Sequence, residues 1–303
     1  MRVLLCSVLL ASALLGSAHA EGDSLQDLLG PREIALGEAM RGDATGASAI
    51  GMNPAGLPLN KELVFEGGYG YRQSDQASLL AVSACDSTNV APGCFFYDYA
   101  GSSPAGDLGT AMPLSHTTHI AGASFAHSFT PRVLVGSTVK YFHYDTNVPT
   151  EVDASGFSFD LGTTIRLTEM INFGVAAYNL VGTSSPEMPR AAGGGLSLHP
   201  LPMLTLNYDM RWVYGGDMHG ARYGGGAELF LRSASGQTGF PIRAGALRDN
   251  YLGSTYLSAG LGFTTMSFGV DVGGRRSISG LNETMVIASI RLFGPRLAPA
   301  GVE

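Results

Sequence analysis

Apolar and polar residues alternate along most of the chain after residue 61. From Leu204 to Tyr214, one set of alternate positions holds Leu, Leu, Tyr, Met, Trp and Tyr, and the positions between them include Thr, Asn, Asp and Arg. Successive side chains of a β-strand point to opposite sides, so this period of two predicts a strand with one apolar and one polar face. An amphipathic helix would have a period of 3.6 residues instead.

Similar segments recur about fourteen times along the chain. We expect strands at 62–72, 76–86, 91–101, 116–128, 132–145, 154–167, 170–182, 189–199, 203–215, 219–233, 239–249, 254–263, 265–275 and 283–293. An even number of antiparallel strands of about 9–14 residues fits a closed barrel that crosses a lipid bilayer. The sequence therefore predicts an all-β fold, a transmembrane antiparallel β-barrel of about 14 strands. A soluble β-sandwich is the alternative, although sandwiches rarely sustain so many long strands of equal length.

The connections between the strands differ in length, which gives the barrel an orientation. Tight connections would be periplasmic turns, and we expect them at 129–131, 168–169, 199–202 and 264–265. Longer connections would face the cell exterior, and we expect them at 102–115, 146–153, 183–188 and 276–282.

The composition of the chain supports a membrane barrel. Residues 1–20 have a basic start, an apolar stretch and an Ala-His-Ala cleavage site, which predicts a signal peptide. The rest of the chain has no apolar run of about 18 residues that could form a transmembrane helix. A charged fraction of only 14% and 42 glycines are unusual for a soluble protein of this size, and a net charge of −7 argues against a nucleic-acid partner.

Two cysteines remain after the signal peptide, Cys85 and Cys94. They flank a turn sequence, so they can face each other across a hairpin in an oxidising compartment. We predict a disulfide, with two unpaired thiols as the alternative.

A different pattern precedes the strands, in the stretch from Ala35 to Leu57. It has too much Gly and Ala for a stable strand and ends in the turn Asn53-Pro54-Ala55-Gly56. A Gly-Glu-Ala sequence, a run of small residues and this Asn-Pro-Ala-Gly turn, followed by a barrel, resemble the FadL-type outer-membrane transporters and their PorV relatives. In that family this segment forms a hatch that fills the lumen of a barrel of about 14 strands. The resemblance implies that Asn53, Pro54 and Ala55 fix the hatch conformation.

The expected domains are a signal peptide (1–20), a hatch (21–60), an outer-membrane barrel (61–294) and a C-terminal tail (295–303). By resemblance, the protein would be a monomer in the bacterial outer membrane, surrounded by its lipids. It would take up a hydrophobic, fatty-acid-like molecule passively past the hatch. In the family, a kink in the third strand forms a lateral gate. Pro92 and Gly93 lie at the position of that kink, and the resemblance is limited to this position. The alternative is a PorV-like, non-conducting scaffold that binds an exported protein or a secretion component.

Charged residues of both signs fall on the predicted inward faces of the strands. One interpretation is a compensated network that anchors the hatch, because unpaired buried charge is costly. The other is that some of the arginines bind a substrate carboxylate. The candidates for either role are Arg166, Arg211, Arg222, Arg243 and Arg291. Pairs and triplets of glycine, including 67–68, 193–195, 224–226 and 273–274, would let a plug approach the wall.

The sequence does not predict an enzyme. It has no Gly-x-Ser-x-Gly motif, and no spacing brings a Ser, a His and an acidic residue together. His116 and His119 would point to opposite faces of a strand, so we expect no metal site there. We also expect no cofactor.

Overall fold

The computed structural model describes residues 29–102, 114–149, 151–181, 188–214 and 219–294. The predicted signal peptide, residues 21–28 of the predicted hatch and the tail at 295–303 lie outside these residues. So do residues 103–113 and 182–187, which make up most of two of the predicted long loops.

Fourteen antiparallel strands form a closed barrel in which each strand pairs with its neighbours in the chain and β1 pairs with β14. The strands are β1 (Leu63–Arg72), β2 (Ala77–Asp86), β3 (Gly93–Ser102), β4 (His116–Ser128), β5 (Val133–Thr146), β6 (Ala154–Arg166), β7 (Ile171–Tyr178), β8 (Ala191–Leu201), β9 (Leu204–Val213), β10 (Gly220–Arg232), β11 (Gly239–Asp249), β12 (Ser254–Thr264), β13 (Phe268–Ser279) and β14 (Thr284–Phe293). The predicted barrel and its number of strands are confirmed.

Several predicted boundaries are wrong. The tight connection predicted at 199–202 is mostly strand, because β8 continues to Leu201, which pairs with Leu204. The strand predicted from 265 begins at Phe268.

The strand predicted at 170–182 ends at Tyr178, because Asn179 has a positive φ of 57° and its backbone N–H donates to Asp160 Oδ1 at 2.8 Å. The long loop predicted at 276–282 is mostly strand, because β13 continues to Ser279, which pairs with Thr255. Gly280, at a φ of 83°, begins the short turn that follows.

Inward and outward side chains alternate as the pattern predicts. On β9, Asp209 and Arg211 are 1% and 6% exposed, whereas Tyr208 and Trp212, which flank this pair in the chain, are 59% and 47% exposed. The outer wall is therefore apolar and accessible, and the polar face points into the lumen. We call the end of the barrel with the start of β1 the turn end and the opposite end the loop end.

Residues 29–60, which we call the lumen segment, lie inside the barrel. The segment contains α1 (Pro31–Ala35), α2 (Ala47–Met52) and a 3₁₀-helix (Pro54–Leu59). Helix α1 packs against β11–β14 on one side of the lumen, and the 3₁₀-helix packs against β4–β6 on the other. The segment thus reaches across the lumen, and most of its residues are buried.

Among the described residues, no helix has the length and apolar character needed to span a membrane.

Candidate functional site: the lumen segment and its cavities

Asn53 is the most completely bonded residue of the lumen segment. It is fully buried, and its Nδ2 donates to the Arg41 carbonyl at 2.9 Å, to Thr164 Oγ1 at 3.0 Å and to the Thr163 carbonyl at 3.2 Å. Its Oδ1 accepts the backbone N–H of Ala55 at 3.2 Å and so caps the 3₁₀-helix. Pro54 occupies the first position of this helix, where its missing N–H costs nothing. One side chain therefore joins two parts of the segment to β6.

A buried ion pair holds the middle of the segment to β9. Arg41 Nη1 lies 2.9 Å from Asp209 Oδ2, and the same oxygen accepts the backbone N–H groups of Met40 and Arg41 at 3.0 and 2.9 Å. Arg41 Nε donates to the hydroxyl of Tyr178 at 2.7 Å, and that hydroxyl donates to the Met52 carbonyl. The Arg41 side chain and Asp209 Oδ2 each form several bonds, whereas Asp209 Oδ1 has no hydrogen-bond partner among the described residues.

Glu38 forms a third anchor. Its Oε1 lies 2.7 Å from Arg275 Nη1, and its Oε2 lies 3.5 Å from Arg222 Nη1. Each arginine also binds a carboxylate of the wall, Arg275 to Glu283 at 2.8 Å and Arg222 to Asp249 at 2.6 Å. Ion pairs thus tie the lumen segment to β10 and β13.

Glycines on the inward face allow direct contact between the segment and the wall. A Cβ at Gly174 would lie 1.9 Å from the carbonyl oxygen of Arg41, and a Cβ at Gly162 would lie 2.1 Å from Asn53 Oδ1. Neither position has room for a larger residue without movement of the segment. Close approaches also occur at Gly136, Gly193, Gly195, Gly224, Gly226, Gly245, Gly260 and Gly273. At Gly67 and Gly68, by contrast, the nearest atoms belong to the barrel wall.

The five arginines named from the sequence occupy different surroundings. Arg222 belongs to the Glu38 anchor, Arg243 lies 2.6 Å from both Glu228 and Asp271, and Arg291 lies 2.6 Å from Asp271. Arg211 has no ion pair among the described residues and stacks on the ring of Tyr178, 4.7 Å from its centroid. Arg166 ends β6 at the turn end, also without an ion pair in the described part of the chain.

Two adjacent cavities lie between the lumen segment and the wall. The first, of about 80 Å³, is bounded by α1, α2, β1, β2, β3 and β14, and the second, of about 60 Å³, is bounded by α2 and strands from β3 to β9. The two share Leu29, Ile50, Gly51, Phe96 and Asp98. A polar vestibule of about 440 Å³ lies at the turn end and is lined by Arg32, Glu228, Arg243 and Arg291, among others.

Pro92 and Gly93 lie at the turn end of β3. From Gly93 to Ser102, β3 pairs with β4 without a register shift, and from Gly93 to Gly101 it pairs with β2 in the same way. The Pro92 carbonyl accepts the backbone N–H of Ala126 at 3.0 Å. The two residues therefore continue the wall in this structure. Cys85 and Cys94 pair across the β2–β3 hairpin and form a disulfide.

A cluster at the loop end corrects the expectation that no Ser, His and acidic residue converge. Ser102 Oγ is hydrogen-bonded to His116 Nε2, and His116 Nδ1 lies 3.8 Å from Glu151 Oε2. The same Glu151 oxygen accepts the hydroxyls of Tyr144 and Thr146, at 2.5 and 2.7 Å. Ser102 and His116 are both buried, so the cluster joins β3, β4 and β5 to the connection that precedes β6.

The sequence reading missed the single glycines that contact the lumen segment. Gly136, Gly162 and Gly174 belong to three successive strands and all occupy inward positions. The alternation does assign these glycines to the inward face, since each follows an apolar outward residue, but it does not show that the lumen segment lies against them. Asp98, which lines both cavities, belongs to no local motif.

The molecule is thus a closed fourteen-stranded barrel whose lumen holds an N-terminal segment. No model of a protein family and no curated protein matches the chain. Solved structures do match. The toluene transporter TbuX of Ralstonia pickettii superposes with a TM-score of 0.70 at 15% identity, over 88% of this chain and 97% of that chain. A FadL homologue of Pseudomonas aeruginosa gives 0.66 at 11% identity, over 88% and 98%.

The CymD monoaromatic hydrocarbon channel gives a TM-score of 0.64 at 13% identity, over 88% of this chain and 97% of that chain. These three neighbours are described as a toluene transporter, a FadL homologue and a hydrocarbon channel, and this chain has their fold.

Proposed function

We propose that the protein is a passive uptake channel for hydrophobic small molecules in the bacterial outer membrane, with the lumen segment as its hatch. The proposal rests most on the joint presence of a channel-like fold and an apolar cavity beside the segment. The first cavity is lined by Leu29, Ile50, Leu79, Phe96 and Ile287, which suit an apolar ligand.

The anchors of the lumen segment support its role as a hatch. Asn53, Arg41 and Glu38 hold it at three places on the wall, so that water and ions meet a filled lumen. An apolar ligand that enters the cavities would compete with packing between the segment and the wall rather than with these ion pairs. In this proposal, residues 21–60 form the hatch and residues 61–294 the barrel, and residues 1–20 direct the chain to export.

The route of exit is part of the proposal. The uninterrupted pairing of β3 favours passage past the segment into the polar vestibule at the turn end, which would be periplasmic. A lateral gate at Pro92 and Gly93 would need the β2–β3 or β3–β4 ladder to open. The scaffold alternative gains no support from the three structural neighbours, which are described as transporters, channels or a FadL homologue.

Uptake by intact cells tests the channel, because the lipopolysaccharide of the outer membrane slows apolar solutes that a simple phospholipid bilayer admits. We expect a host without its own FadL-type channels to accumulate radiolabelled toluene faster when it carries this protein. The same host with an unrelated barrel at equal abundance is the control. Equal rates in the two strains would contradict the proposal.

A further inference from the structure

Acidic side chains line the first cavity together with its apolar residues. Asp98 lies on β3 at the junction of the two cavities, Glu33 comes from α1 and Glu66 from β1. The described residues that line this cavity include no Lys, Arg or His. A ligand in the first cavity therefore meets apolar side chains and carboxyl groups.

Two of the three carboxyl groups form no hydrogen bond or ion pair among the described residues, although charge attraction links Lys140 with Asp98 and Arg32 with Glu33. Glu66 lies directly opposite Arg291 in the β1–β14 ladder. Asp98 forms no hydrogen bond or ion pair among the described residues, and neither does the side chain of Glu33, although Glu33 is only 3% exposed. A buried carboxylate without a partner is costly, and a cationic group brought by a ligand would offset that cost.

The cations near Asp98 are already engaged or lie in the second cavity. Lys140 is bound to Asp160 at 2.7 Å. Arg211 lines the second cavity, where it stacks on Tyr178. A ligand carboxylate could reach Arg211 only there, whereas in the first cavity it would face carboxyl groups and, among the described residues of the lining, no cationic side chain.

We propose that the first cavity binds an apolar molecule that carries a protonated amine, with Asp98 as the principal acceptor and Glu33 as the second. This inference rests on the proposed function and names the substrate class of the same channel. It differs from the fatty-acid-like substrate that the family resemblance implies, because the carboxylate of such a substrate would find no cationic side chain in the described lining of this cavity.

Three probes with one ring and different head groups test the inference. Benzylamine, toluene and benzoate are titrated by calorimetry into the purified full-length protein in detergent at pH 7. We expect benzylamine to bind roughly 10-fold tighter than toluene, as a charge-assisted hydrogen bond would give, and benzoate to bind more weakly than toluene. The variant Asp98→Asn should reduce benzylamine affinity roughly 10-fold and leave toluene affinity within about 2-fold.

Two further variants distinguish the loss of a carboxylate from a general loss of the folded protein. Glu33→Gln should weaken benzylamine binding without weakening toluene binding. Asp145→Asn, at an exposed carboxylate on β5 whose side chain is 53% accessible, should change neither affinity. Circular dichroism checks that each variant keeps the barrel.

The possible outcomes separate this inference from the function on which it rests. Toluene binding without a benzylamine preference, an unchanged preference in Asp98→Asn, or tighter binding of benzoate would each overturn the inference and leave the channel standing. A failure of all three probes to bind would also overturn it. The proposed function fails by a different result, the absence of protein-dependent toluene uptake by cells.

Discussion

At the scale of single residues, Asn53 and Arg41 show how the lumen segment is held. Each forms bonds both within the segment and to the barrel wall, so neither can leave without several groups losing their partners. The Asn-Pro turn could be predicted because its chemistry is local, with Asn capping the helix that Pro begins. Asp209, the partner of Arg41, lies 168 residues away, and no local pattern links the two.

Removal of the Asn53 amide should loosen the segment. In Asn53→Ala, the Arg41 carbonyl, the Thr163 carbonyl and Thr164 Oγ1 lose a donor in a buried site. We expect the free energy of unfolding to fall by about 3 kcal/mol, measured by urea titration in lipid vesicles. Asn250→Ala, at an exposed residue, is the matched control and should change it by less than about 0.5 kcal/mol. Equal effects of the two substitutions would contradict the anchoring role.

At the scale of elements, the strands could be predicted from the sequence. The residues that face inward could also be predicted, but their contacts with the lumen segment could not. The alternation located all fourteen strands because each must present an apolar face outward. The errors at Tyr178 and Ser279 arose where a positive-φ Asn or a short turn decides where pairing ends. The alternation also places Gly162 and Gly174 inward, but it does not show that a backbone lies against them.

Gly174 on β7 offers a test of that contact with a control on the neighbouring strand. A methyl group at Gly174 would overlap the Arg41 carbonyl, whereas one at Gly194 on β8 would lie 3.6 Å from its nearest neighbour. We expect Gly174→Ala to lower the free energy of unfolding by about 2–3 kcal/mol and to increase ion conductance in planar bilayers. Gly194→Ala should change the stability by less than about 1 kcal/mol. A closed, fully stable Gly174→Ala protein would show that the segment does not press on β7.

At the scale of the whole molecule, the barrel depends on local sequence patterns, whereas the cavities inside it depend on residues that are distant in the chain. Closure of the barrel follows from an even number of similar strands, and each strand can be recognised from its own alternation of apolar and polar residues. The cavities depend on how α1 and α2 pack against strands that are distant in the chain. Asp98 and Glu33 therefore line the same cavity although they are far apart in the sequence. The fold could therefore be predicted, whereas the cavities and their lining could not.

In the proposed function, the lumen segment closes the barrel until an apolar ligand displaces it. Single-channel current through the wild-type protein in a planar bilayer, recorded before and after addition of toluene, measures this directly. A protein-free bilayer exposed to the same toluene is the control. We expect almost no current before addition and discrete openings afterwards. A steady large current before addition, or no openings after it, would contradict a ligand-displaced hatch.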